Sequence, residues 1–125
     1  KNNIRIIPLV GPSSILLALM ASGLNGQQFA FNGYLPIESN ARISKIIELE
    51  KLSISRNQTQ IFIEAPYRNQ KLLEQLVKTC SDSTNLCIAS HLTFSNEMVA
   101  TRTIKEWNRS LPDINKIPTI FLLHG

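Results

Sequence analysis

Residues 60–76 read QIFIEAPYRNQKLLEQL, and this stretch decides how the rest of the chain is interpreted. Its first part, residues 60–65, is an apolar run typical of a central strand that is covered on both faces. Pro66 then suits the start of a helix, because the N–H that proline lacks has no helical partner there. From Leu72 to Cys80 apolar residues recur at helical spacings, which indicates one apolar stripe. The stretch therefore predicts a buried strand, a polar turn and an amphipathic helix.

Strand and helix patterns also alternate on either side of this stretch. The sequence predicts further strands over residues 4–9, 28–35, 85–89, 97–104 and 118–123. It predicts further helices over residues 15–21, 40–52 and 105–111. Such alternation predicts one α/β domain, with a mixed, mostly parallel sheet of about five strands flanked by helices.

Two of these helices carry an expectation about burial. The helix over 15–21 is apolar on every side and is ended by Gly23 in a left-handed conformation, so we expect it to be buried. In the helix over 40–52 the apolar positions fall on one face. We expect its basic residues to face water: Arg42, Lys45 and Lys51.

The composition is that of one ordinary globular domain. Of the 125 residues 43% are hydrophobic and 18% are charged, unlike a disordered or fibrous segment. No apolar run approaches the roughly 20 residues of a membrane span, so we expect a soluble, cytoplasmic protein. The net charge of +4 is scattered along the chain, which is compatible with an RNA partner but does not demonstrate one. The chain begins at Lys1, close to a strand pattern, so we expect it to be part of a longer protein.

Familiar catalytic signatures are missing from the sequence. It contains no Walker loop, no G-x-G-x-x-G and no G-x-S-x-G elbow, which disfavours a self-contained nucleotide or hydrolase site. His91 and His124 have no partner at metal-ligand spacing, and we expect no metal site. Cys80 continues a helical apolar stripe and Cys87 lies in a predicted strand, so both are predicted to be buried free thiols.

Polar residues follow several apolar strands, at the position where open α/β sheets bind ligands. Ser13 and Ser14 open a helix whose free N–H groups suit a phosphate or carboxylate, although a serine cap without a ligand is the commoner role. Tyr34 lies between Gly33 and Pro36, where an ordinary turn with a core aromatic residue fits as well as a site residue does.

The other strand ends carry titratable groups. Glu64 either binds a ligand hydroxyl or forms a salt bridge with Arg68 across the turn. His91, in the polar stretch 90–97, is either a site residue or a partly exposed loop histidine. Glu64 and Glu97 are the carboxylates nearest the predicted cleft, but neither is assigned as a general base, and the catalytic residues are left unassigned.

Four motifs in one order and spacing make the chain resemble a known family. They are VGPSS leading to SGL in residues 10–24, FAFNGYLP in 29–36, EAPYR in 64–68, and LT in 92–93 with Glu97 and Thr103. In this order they resemble the C-terminal domain of the tetrapyrrole methylase superfamily, and within it the ribosomal RNA small subunit methyltransferase I family. The resemblance runs from about Ile4 to Gly125.

The resemblance implies a two-domain enzyme that transfers a methyl group from S-adenosylmethionine, bound in the cleft between its domains. Residues 1–125 would be the C-terminal domain, inactive without the N-terminal domain. The residues implied to bind the cofactor, largely through main-chain and apolar contacts, are Glu64, Ala65, Pro66, His91, Leu92, Pro118, Thr119 and Ile120. Those implied to face the substrate are Ser13, Ser14, Tyr34, Arg68 and Thr93; Tyr34 and Arg68 also suit the partner domain.

The family further implies methylation of a ribose 2′-hydroxyl in small-subunit ribosomal RNA, and assembly as a homodimer. The chain departs from the family in residues 90–94, SHLTF, where the family has R-E-L-T-K. Two cations and an acid are lost there, which lowers the expected RNA affinity. Two alternatives therefore stay open, namely a methylase of a tetrapyrrole or another small molecule, and a noncatalytic dimerisation domain.

Overall fold

A computed structural model describes residues 12–24, 28–91 and 95–125, with side chains from Ile15 onward. In these residues the helices are α1 (Pro12–Ser22), α2 (Ser39–Ser55), a 3-10 turn (Pro66–Arg68), α3 (Asn69–Thr79) and α4 (Ile104–Arg109). The strands are β1 (Phe29–Tyr34), β2 (Thr59–Ile63), β3 (Asn85–Ser90), β4 (Met98–Thr103) and β5 (Thr119–His124). The strand predicted over 4–9 lies outside the described residues.

The strands form one five-stranded mixed sheet in the order β1-β2-β5-β3-β4. The mixed α/β class with flanking helices is confirmed, but the expectation of a mostly parallel sheet is wrong. Among the described strands β1 and β2 pair in parallel, whereas β2 with β5, β3 with β5 and β3 with β4 pair antiparallel. The reason is the place of β5, which enters between β2 and β3 from the opposite direction and separates two strands that point the same way.

One face of the sheet packs against α2, α3 and α4. Phe62 of β2 and Phe121 of β5 stack on this face with ring centroids 5.7 Å apart. Trp107 of α4 is buried beside them, and its indole Nε1 donates a hydrogen bond to the Leu86 carbonyl at 2.8 Å. A buried indole needs such a partner for its N–H. The larger of two apolar clusters therefore lies between this face of the sheet and the three helices.

The opposite face of the sheet carries the smaller cluster and contacts α1. Ala18 and Leu19 of α1 pack there against alternate residues of β2, β3 and β5. The expectation that this helix is buried on all sides is wrong, because Leu16 is 50% exposed and Met20 is 79% exposed. Gly23 after the helix has the predicted left-handed conformation, with φ of +72°. No described element packs on the outer side of α1, which leaves an apolar surface.

Side-chain caps fix the starts of two helices. The Glu38 carboxylate accepts hydrogen bonds from the N–H groups of Asn40 and Ala41, so α2 begins at Ser39. These bonds lower the pKa of Glu38. Thr103 and Glu106 form a capping box at the start of α4. None of the described helices is long and apolar enough to cross a membrane.

Both cysteines are buried free thiols, as predicted. Burial raises the pKa of Cys80 to about 12 and also raises the pKa of Cys87. Since the thiolate is the reactive form, we expect iodoacetamide at about pH 8 to leave both residues unmodified in the native protein and to alkylate both in urea. Mass spectrometry of timed samples measures this. Rapid labelling of either thiol without denaturant would contradict the packing of α3 and β3.

Candidate functional site

Five strand ends meet at one edge of the sheet. Tyr34 at the end of β1 pairs with Ile63 at the end of β2, which in turn pairs with Ile120 in β5. Ser90 at the end of β3 pairs with Thr119 at the start of β5. The carboxyl ends of three strands therefore lie beside the amino ends of the other two. We call this the site edge, and it comprises residues 34–36, 63–69, 90–91 and 117–120.

The structure brings most of the predicted cofactor residues to the site edge. The tripeptide 64–66 follows β2, His91 follows β3, and residues 118–120 begin at the start of β5. The His91 N–H donates to the Pro118 carbonyl at 3.2 Å, and the Lys116 N–H donates to the Pro66 carbonyl at 2.9 Å. These bonds connect three segments that are distant in sequence. Leu92, the remaining predicted cofactor residue, lies outside the described residues.

Two side-chain hydroxyls and two residues with left-handed backbone conformation shape the loops of this edge. The Ser90 and Thr119 hydroxyls lie 3.1 Å apart, and Thr119 Oγ1 donates to the Ile117 carbonyl at 2.8 Å. His91 and Lys116 have positive φ values of 53° and 63°. Non-glycine residues in this region are uncommon, and such backbone conformations cluster at ligand sites. His91 therefore holds a sharp change of chain direction directly after β3.

Glu64 is a buried carboxylate at the end of β2, and both of its oxygens are engaged. Its Oε2 pairs with Arg42 Nη2, and its Oε1 lies 3.1 Å from Arg68 Nε. The Ala65 N–H also donates to Glu64 Oε1 at 2.7 Å. The salt-bridge alternative for Glu64 and Arg68 is thus confirmed, although the Arg68 Nε contact is an ion pair without hydrogen-bond alignment. A ligand hydroxyl at the Glu64 side chain would have to displace one of these partners.

Arg42 departs from its sequence-based expectation. It was expected to face water, but it is only 2% exposed and contacts the site edge from α2. Besides pairing with Glu64, its Nε donates to the Pro36 carbonyl at 2.9 Å and its Nη1 donates to Gln75 Oε1 at 3.2 Å. Polarity alone does not distinguish a buried arginine from a solvated one. Arg42 lies four residues before Ile46, on the buried stripe of α2, and that spacing was the available signal.

The predicted substrate residues are only partly placed by the structure. Tyr34 is 66% exposed at the end of β1, so it is not a core aromatic residue. Arg68 lies in the turn after β2, and the Glu64 carboxylate raises the pKa of its guanidinium. Ser13 and Ser14 lie in the first turn of α1, with side chains outside the described part of the chain. Thr93 is outside the described residues as well.

Two residues at this edge were missed by sequence reasoning. Tyr67 is exposed beside Arg68, and the aromatic residue in EAPYR was its only signal. Asn69 is buried at the start of α3, where its Nδ2 donates to the Ile117 carbonyl, and its Oδ1 has no hydrogen-bond partner among the described residues. Since Asn69 is fully buried, its side chain holds the main chain that leads into β5.

The described part of the chain contains no candidate metal site. No three histidine, cysteine or acidic side chains there are grouped so that they could hold a metal ion. Glu97 is exposed just before β4. The site edge consequently offers main-chain groups, hydroxyls and cations to a ligand.

Comparison with known proteins places this geometry in context. No protein-family model matches the chain. The chain is 31% identical to the ribosomal RNA small subunit methyltransferase I of Vibrio cholerae over 98% of this chain, and 30% identical to that of Haemophilus influenzae over 98% of this chain. The resemblance to the ribosomal RNA small subunit methyltransferase I family is confirmed. The chain spans 42% and 43% of the length of these two methyltransferases I.

A further relative and a solved structure extend the comparison. The ribosomal RNA small subunit methyltransferase I of Mesorhizobium japonicum is 33% identical over 83% of this chain. The crystal structure of the methyltransferase CobJ aligns with 89% of this chain, and the aligned part is 47% of the CobJ chain. The TM-score is 0.57 and the sequence identity is 14%. This likeness shows a shared fold.

The pair formed by Arg42 and Glu64 can be tested through stability. We expect Arg42→Met to lower the free energy of unfolding by about 2 to 4 kcal/mol, because Glu64 stays buried with only Arg68 and the Ala65 N–H as partners. Urea unfolding followed by circular dichroism measures the loss. Lys51→Met, on the exposed face of the same helix, is the matched control and should stay within about 0.5 kcal/mol of the original protein. Equal effects of the two substitutions would contradict the assigned role of Arg42.

Proposed function

We propose that this chain is the C-terminal domain of an S-adenosylmethionine-dependent methyltransferase that modifies small-subunit ribosomal RNA. The observation that carries the proposal is the meeting of residues 64–66, 91 and 118–120 at one sheet edge. These are the positions that the family resemblance assigns to the cofactor. The similarity of nearly the whole chain to methyltransferases of that name supports the same activity.

In this proposal the adenosine part of the cofactor lies against the site edge. Ala65, Pro66, Pro118 and Ile120 supply apolar contacts, and main-chain groups of Glu64, His91, Leu92 and Thr119 supply polar ones. A purine requires an apolar slot and a few well-placed donors and acceptors, so polar side chains are not needed. Asn69, which donates to the Ile117 carbonyl, fixes the approach to β5. When bound, S-adenosylmethionine supplies an activated methyl group.

The acceptor in this proposal is a ribose 2′-hydroxyl of the RNA. Transfer of a methyl group is an in-line displacement, so holding the acceptor oxygen opposite the donor provides much of the rate. Tyr34 and Arg68 are assigned to the substrate because both lie at the site edge, and Ser13, Ser14 and Thr93 are assigned to it by the family resemblance. Glu64 is not assigned as a base, since both of its oxygens are engaged.

The proposal includes two protein partners and a cellular location. An N-terminal domain of the same protein would complete the cleft, as the relatives' greater length supports. A second copy of the protein would form a homodimer, and the protein would act in the cytoplasm, where ribosomal subunits are found. Apolar side chains exposed on α1 and β1 suit burial in such contacts: Leu16, Leu17, Met20, Phe29 and Phe31.

The proposed activity is tested with the full-length protein that carries this chain. Small ribosomal subunits are purified from cells that lack this protein, so their RNA is unmodified at the acceptor. They are incubated with the protein and methyl-labelled S-adenosylmethionine, and the label in the RNA is counted. We expect label in the RNA, and none when the subunits come from cells that contain the protein.

Two other results of this experiment would support the alternative functions. Cofactor binding without label in the RNA would reject the ribosomal substrate and favour a small-molecule acceptor such as a tetrapyrrole. Absence of cofactor binding in the full-length protein would reject the methyltransferase and favour a noncatalytic interaction domain. Equilibrium dialysis with the labelled cofactor separates these two results.

A further inference from the structure

The turn after β2 presents an aromatic ring that is open on one side and stacked against a cation on the other. Tyr67 is 63% exposed in this turn. The Arg68 guanidinium carbon lies 4.5 Å from the centroid of the Tyr67 ring, and Arg68 Nη1 donates a hydrogen bond to the Tyr67 hydroxyl. A guanidinium in this position stacks on the ring and restricts its motion.

The Arg68 guanidinium is held in place by ion pairs that begin in the protein core. Arg68 pairs with the buried Glu64, and Glu64 pairs with the buried Arg42. Arg42 also donates to the Pro36 carbonyl in the loop after β1. The Tyr67 ring is consequently connected to two neighbouring strand ends through a chain of charged contacts. A large side chain that is fixed in this way loses little conformational entropy when it binds a ligand.

We propose that Tyr67, backed by Arg68, is a stacking platform for an unpaired base of the RNA substrate. This inference rests on the proposed function, because it assigns a surface residue to the same RNA. RNA-modifying proteins recognise unstacked bases by placing them on aromatic rings and on guanidinium planes. The Tyr67 ring offers such a surface directly beside the residues assigned to the cofactor.

The charge around Tyr67 also fits RNA. Two arginines and one carboxylate leave a net positive charge in the network beneath the ring. Lys71 and Lys116 are exposed; Lys71 follows Tyr67 by four residues, and the Lys116 main chain is bonded to Pro66 of the same turn. Cations beside an aromatic platform bind the backbone phosphates while the ring binds the base.

The test compares Tyr67→Leu with Tyr67→Phe in the full-length protein. Leucine keeps the apolar bulk and removes the aromatic face, whereas phenylalanine keeps that face and removes the hydroxyl. The probe is the unmodified small ribosomal subunit, and its dissociation constant is measured at several salt concentrations. We expect Tyr67→Leu to weaken binding by about tenfold, and Tyr67→Phe to bind like the original protein.

Two controls separate stacking from charge and from folding. Because leucine removes no charge, the slope of log affinity against log salt should be unchanged in Tyr67→Leu, whereas Lys71→Met should reduce that slope by about one. The urea midpoint and the affinity for S-adenosylmethionine should be unchanged in Tyr67→Leu, since its side chain is exposed and is not assigned to the cofactor.

Each contrary result has a distinct meaning. If Tyr67→Leu binds subunits as tightly as Tyr67→Phe, the platform is wrong while the proposed function stands. If Tyr67→Leu weakens cofactor binding as much as subunit binding, Tyr67 contacts the cofactor or the N-terminal domain instead of RNA. If the original protein neither binds nor methylates the subunits, the proposed function and the platform are both wrong.

Discussion

The buried carboxylate of Glu64 is the constraint on which the geometry of the site edge depends. A charge removed from water is costly unless it is paired, and the cost of leaving it alone amounts to several kcal/mol. The chain meets this requirement with one arginine from α2 and one from the turn after β2. Because Arg42 also binds the Pro36 carbonyl, the same pairing connects the end of β1 to the end of β2. A charge-pairing requirement thus fixes the relative position of two site loops.

The position of β5 adds the third segment of the site. In a purely parallel sheet the start of a strand lies at the opposite edge from the ends of its neighbours. Here β5 runs between β2 and β3 in the opposite direction, so its first residues lie beside the last residues of both. Thr119 therefore pairs with Ser90 and Pro118 accepts from the His91 N–H, about thirty positions earlier in the chain, while Ile120 pairs with Ile63 at the end of β2. The antiparallel insertion that the sequence did not predict is what completes the edge.

Local sequence predicted the elements well and their pairing poorly. Hydrophobic periodicity placed α2, β2 and β3 close to their observed bounds and indicated α3, since such patterns depend on neighbouring residues. Strand order depends on contacts between distant segments, and no local pattern of β5 indicates which strands flank it. The exposed side of α1 has a similar cause, because an apolar helix shows a need for burial without showing which surface provides it.

The candidate site was predicted by family resemblance more than by residue pattern. Glu64 and Arg68 were recognised as possible partners, because a carboxylate and a guanidinium four residues apart can meet across a turn. Arg42 was missed, since an arginine on a helix is usually solvated and its role depends on a buried acid that lies 22 residues further along the chain. Asn69 was missed for the same reason, because its partner is the main chain before β5.

The most direct test of the account is hydrogen exchange of the full-length protein with and without saturating S-adenosylmethionine. We predict slower exchange in peptides that cover three segments of the site edge, residues 63–69, 90–91 and 117–120. Peptides at the opposite edge of the sheet, around residues 53–58 and 124–125, should exchange at unchanged rates. Protection at that opposite edge, or no protection of the site edge by bound cofactor, would contradict the placement of the cofactor and the function built on it.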